Sequence, residues 1–166
     1  MAVVILGWFV FAYCLISLLE HYFHKNHMHR NGWLNKIDHS WFEVHQKLHH
    51  PAYRGDFEHA NPESHEGLGT RISHLKTVKY LGPVFVAFGY FFPVGSLIVF
   101  LTAMAHHTVW NLFHEEMHSP KGRFFSKWGV YRYLRKYHLI HHEHPRKNMN
   151  VVFPGADFLF GTYNAQ

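Results

Sequence analysis

The chain has a single cysteine, Cys14, in 166 residues. That excludes a disulfide framework and a thiolate metal site, and it leaves the redox compartment unmarked. No glycine-rich nucleotide fingerprint and no flavin or haem attachment motif is present. Internal repeats and low-complexity tracts are absent too. Charge is missing altogether from residues 2–19, AVVILGWFVFAYCLISLL. As a helix this stretch would be about 27 Å long, close to the hydrocarbon thickness of a bilayer. No basic region precedes it and no small-residue cleavage site follows, so a retained membrane helix is expected rather than a signal peptide.

The second apolar region spans 81–105 and is interrupted by Gly82-Pro83, Pro93 and Gly95. Its halves, 82–92 and 94–105, are each roughly 17 Å as helix, about half a bilayer. The region crosses once as a kinked helix or dips in and returns. All 16 Lys and Arg residues lie outside both apolar regions, in lobes 20–80 and 106–166. Like charge on both lobes favours one shared, cytoplasmic face and hence the bent hairpin. The net charge of +5 suits an anionic lipid surface. A nucleic-acid partner is not expected, because the aromatics sit in apolar runs and no recognition motif appears. The length fits one domain, 1–166, and the segment 51–76 reads as a loop.

The chain is rich in histidine, with 19 residues gathered into runs. Neutral imidazole is the commonest metal ligand near neutral pH, and spacing decides which rings can meet. Positions three and four apart share a helix face. His138, His141 and His142 form such a triplet, and His114/His118 and His45/His49 form pairs. His107 lies seven residues before His114 on the same stripe. His50 precedes Pro51, which lets its ring be aimed differently from its neighbours. In the first run His24 pairs with His21 or His27 at helical spacing, whereas His24 with His29 needs a distorted or ending helix. His39, His59, His65 and His74 match no cluster and read as hydrogen-bonded surface rings. A structural zinc takes four ligands. About ten placed histidines are too many for one ion and fit two.

The ordered boxes HX4H (His24, His29), HX3HH (His45, His49, His50), HX3H (His114, His118) and HX2HH (His138, His141, His142) resemble the fatty acid hydroxylase and sterol desaturase superfamily. So do the opening EHYFHK at 20–25 and the closing run LRKYHLIHH to NVVFPGADFLFGTY at 134–163. The chain departs from that pattern at His21 and Ala156, which stand for an aromatic residue and a Trp, and at Lys25, which stands for an Arg. Its second box has one residue more than the usual HX2HH. Small carotenoid-ring hydroxylases share the HX4H opening, but their third box is HX4H, and the FGTY tail is closer to the lipid and sterol branch.

The resemblance implies an all-α fold: integral membrane helices carrying a cytoplasmic helical cap with a histidine-rich di-metal site. It implies a di-iron enzyme, with two iron ions on those ten histidines, that hydroxylates a lipid C–H bond with O2. A lipid desaturase or carotenoid-ring hydroxylase with the same site is the neighbouring reading, and a membrane metal-binding or transport protein the remote one. Electrons would come from an external donor such as a ferredoxin or a cytochrome b5-type protein. His27 and His107 are alternative ligands. Glu20 matches the family's opening Glu and is a candidate to orient a ligand ring. Glu115, Glu116 and Glu143 adjoin boxes and could do the same. The stripe Phe124, Trp128, Tyr131 and Leu134 leads into His138 and is expected to line the substrate pocket.

Overall fold

A computed structural model describes residues 2–54, 56–58 and 69–166. All regular structure among them is helical. The expected surface rings His59 and His65 lie outside the described residues. Helix α1 (Ala2–Phe23) is uncharged as far as Leu19, carries Glu20 and His21 in its last turn, and runs straight into a π-helical turn, His24–Met28. After a short 3-10 turn, Trp33–Lys36, a second helical run contains α2 (Ser40–Phe42), a π-helical stretch Glu43–His49, and α3 (His50–Ala52).

The 81–105 region is resolved as a helical hairpin: α4 (His74–Phe91) and α5 (Pro93–His118) meet at Phe92. Pro93 at the first position of α5 explains the corner, since proline disfavours the helical region for the residue before it and Phe92 takes φ −135°, ψ 67°. Ser96 Oγ donates to the Phe85 carbonyl at 2.8 Å and braces the bend. Pro83, read from the sequence as a break, instead lies inside α4. The boundaries therefore differ from those expected. Two helical segments are long and apolar enough to cross a membrane, Ala2–Met28 and Pro93–His118.

Helix α5 packs against both α1 and α4. Its seam with α1 uses small and branched residues, Ala12, Ile16, Val99 and Ala103, which allow close approach. At the hairpin tip Trp8 packs beside Phe88 and Phe92, with ring centroids 5.9 and 6.0 Å away. A Cβ on Gly95 would come within 2.5 Å of the Trp8 ring, so this crossing requires glycine. Outward-facing side chains at this end are apolar: Val3, Val4, Leu6, Val84, Val86, Tyr90 and Phe91 are all exposed. Cys14 is exposed on α1 as well.

Beyond the opposite end of the hairpin, a second core gathers Phe57, Trp110, Phe113, Met117, Phe125, Tyr131, Leu134 and Val151. It seats α6 (Gly129–Glu143). Tyr131, Leu134, His138 and His141 recur every three or four residues on α6 and are all buried, so one face of the helix carries both core and site. The short α7 (Gly155–Leu159) then packs on α1.

Candidate metal centre

The four histidine runs converge on one site. Two groups of rings present nitrogens within 4.8 Å of one another: His24, His29, His45 and His141 in one, and His49, His114, His118, His138 and His142 in the other. These are nine of the ten expected ligands. The tenth, His50, sits between the groups. Its Nε2 lies 3.3 Å from His45 Nε2, and its ring stacks on His142 at 4.3 Å.

The π-helical turns explain how the irregular spacings work. In an α-helix, residues five apart point about 140° away from each other. A π-turn replaces the i→i+4 bond with i→i+5. The backbone N–H of His29 bonds the His24 carbonyl at 3.0 Å, and that of His50 bonds the His45 carbonyl. Both pairs are thereby brought onto a common side, with ring centroids 4.9 Å apart in each. The extra residue of the second box is absorbed in the same way. Asn35 then donates to the carbonyls of His27 and Arg30 and closes the turn after the first box.

His27 does not join either group. It is buried against Tyr22, Phe23 and Trp33, with centroids 5.4–5.8 Å away. His107 is turned aside too: its Nε2 donates to the Ile72 carbonyl at 2.8 Å, its Nδ1 meets Thr77 Oγ1, and it stacks on the exposed His74. His39 is also exposed.

What orients the ligand rings is mostly backbone. His24 Nδ1 donates to the Met149 carbonyl (2.5 Å), His141 Nδ1 to Lys147 (2.7 Å), His118 Nδ1 to Phe57 (2.9 Å) and His114 Nδ1 to Thr70 (3.0 Å). His29 Nδ1 donates to Gln46 Oε1 at 2.6 Å. Because carbonyl oxygens only accept, each of these rings carries its proton on Nδ1 and leaves Nε2 as a bare lone pair. The lone pairs then face one another. His29 Nε2 and His141 Nε2 are 3.0 Å apart, although both rings have already spent their proton. The bare Nε2 atoms of His24 and His118 lie 2.8 Å from His45 Nε2 and 3.1 Å from His138 Nε2. Two imidazoles on one ion, with nitrogen–metal bonds of about 2.0–2.1 Å, hold their nitrogens about 2.8–3.4 Å apart. The donor set therefore fits a bound cation.

A proton could also separate such lone pairs, but burial opposes it. Burial first, and then the charge of neighbouring rings, holds His29 and His50 down at about 3. The same causes push His45, His138, His141 and His142 well below the ordinary imidazole range. These rings are neutral and ready to bind metal.

Of the four expected carboxylates, none touches a clustered ring among the described residues. Glu115 pairs with Arg71, Lys121 and Arg123, Glu116 accepts from the backbone N–H of Lys121 and Arg123, and Glu143 is exposed. Glu20 sits 3.3 Å from His106 Nε2 and accepts from Asn150 Nδ2 and the Val151 N–H. It braces the chain that presents the Met149 carbonyl.

A cavity of about 450 Å³ opens between α1, α4 and α5, walled by Leu15, Leu19, Val84, Phe85 and Val99. Glu20, His24 and His106 also line it. The expected pocket stripe is elsewhere. Tyr131 and Leu134 are spent on the core with Phe113 and Phe125, and Phe124 and Trp128 face outward, 76% and 49% exposed. No family model, curated protein or solved structure matches the chain.

Proposed function

We propose that the chain is a membrane-bound di-iron oxygenase that hydroxylates a C–H bond of a lipid, using O2 and electrons from an external donor. The observation that carries this reading is the convergence of imidazole nitrogens from four separate histidine runs, with His29 and His141 meeting through bare Nε2 lone pairs, beside an apolar cavity. Iron on these rings supplies the oxygen activation and C–H cleavage that no side chain performs unaided. The protein's part is binding, orientation and exclusion of water.

The two groups stand differently to the cavity. His24 belongs to the four-histidine group and lines the cavity wall, whereas no member of the five-histidine group does. Trp110 packs against His114 with ring centroids 4.4 Å apart and also lines the cavity, so it screens the larger group. Substrate arriving from the bilayer between α1 and α4 meets the four-histidine side first. The two apolar segments suit membrane association. The basic lobes favour the cytoplasmic face for the site. Lys136, Arg132 and Arg146 would meet an acidic electron donor such as a ferredoxin or cytochrome b5-type protein.

The test is mass spectrometry of lipids from cells with and without the iron-loaded protein and a matching donor. The reading expects a lipid that has gained one oxygen atom. A lipid that has only lost two hydrogens would move the assignment to a desaturase. An unchanged lipid profile would contradict both.

A further inference from the structure

Residues 147–151 supply the carbonyls that orient His141 and His24, both in the four-histidine group. The oriented rings of the other group depend on Phe57 and Thr70 instead. We propose that Asp157 is a positioning residue for the four-histidine group alone, acting through this strap. The proposal rests on the reading that both groups hold metal.

Asp157 is fully buried, and its carboxylate is saturated. Oδ1 accepts from the Met149 N–H at 2.9 Å and from Thr162 Oγ1 at 2.6 Å. Oδ2 accepts from the Asn150 N–H and from Tyr137 Oη, both at 2.7 Å. Two of these donors are fixed backbone groups on the residues at and beside the carbonyl that His24 uses. Asn148, held at φ 55°, donates to the Tyr137 carbonyl at 2.9 Å and ties the strap to α6. Gly161, at φ +64°, makes the turn that returns Thr162 to Asp157.

An amide cannot replace this carboxylate. Asp157→Asn keeps the shape, but either flip of its amide sets an NH2 against a backbone N–H, that of Met149 or that of Asn150. The hydroxyls of Tyr137 and Thr162 can rotate to adapt; the backbone donors cannot. Losing the partner that orients a ligand histidine typically lowers metal affinity about 10–100-fold.

The experiment measures metal per chain in purified, detergent-solubilised protein loaded with iron or zinc. Wild type should hold two ions and Asp157→Asn one, with the helical circular dichroism retained. Adding His142→Ala to Asp157→Asn should remove the remaining ion, and adding His29→Ala should not. If Asp157→Asn does not fold, Tyr137→Phe removes a single rotatable donor and serves in its place. One of its two ions should then be released to a chelator about 10–100-fold more readily than from wild type. Wild type with two ions and both variants indistinguishable from it, or loss confined to the five-histidine ion, would overturn the role of Asp157. Wild type without two ions would instead overturn the metal reading beneath it.

Discussion

His142→Ala abolishes lipid oxidation and removes an ion, while His74→Ala changes neither. This is the largest difference expected between two histidines of the chain. His142 Nε2 is buried, has no hydrogen-bond partner among the described residues, and faces His49, His118 and His138. Its ring also stacks on His50, so it lies where the two groups touch. Removing it deletes a ligand and opens the wall between the groups, and nothing else on α6 reaches the same point. His74 is exposed at the start of α4, where it meets Thr108 Oγ1 at 3.2 Å and stacks on His107. Exposed substitutions away from caps and cores usually change stability by less than about 0.5 kcal/mol. Oxidised lipid and metal per chain, measured for both variants, separate the cases. Full activity in His142→Ala would mean that the cluster is not the reaction centre.

The second large contrast lies within one run of the chain. His29→Ala should lose the ion of the four-histidine group together with activity. Its Nε2 faces His141, and Gln46 fixes its tautomer. His27→Ala should keep both ions and lose only stability, on the order of 2 kcal/mol, from the space left among Tyr22, Phe23 and Trp33. Metal content and thermal unfolding, followed for the two variants in parallel, give opposite patterns. The reverse result would show that the first turn runs as an ordinary α-helix in the working protein.

The choice between His27 and His29 shows where spacing stops being informative. Regular α-helical spacing was enough for His114 with His118 and for the α6 triplet, because the helix periodicity there is undisturbed. It misleads where the backbone is π-helical, since i→i+5 bonding carries no residue signature that distinguishes it from an ordinary turn. Nor does sharing a face decide which group a ring joins. His138 and His142 go to the five-histidine group and His141 to the other, and the second box divides in the same way between His49 and His45.

The hairpin was legible from Pro93 and from the like-charged lobes. Pro83 was not: its helix continues, supported by α5, despite the lost hydrogen bond. The groups orienting the ligand rings were also hidden. Carboxylates were the visible candidates, but the structure uses the carbonyls of Phe57, Thr70, Lys147 and Met149, and every residue has a carbonyl. Gln46, which accepts from His29, was a readable side chain. Of the expected stripe only Tyr131 and Leu134 share a face of α6; Phe124 and Trp128 precede that helix and face outward, and Phe113 and Phe125 complete a core around Tyr131 that a single helix cannot reveal.

The central claim is that the four histidine runs build a two-metal site from nitrogen ligands. Metal analysis of the purified chain combined with X-ray absorption tests it most directly. Zinc stands above ferrous iron in affinity order, so either metal counts. The account predicts two ions per chain with nitrogen and oxygen neighbours and no sulfur. One ion, none, or a sulfur ligand would contradict it.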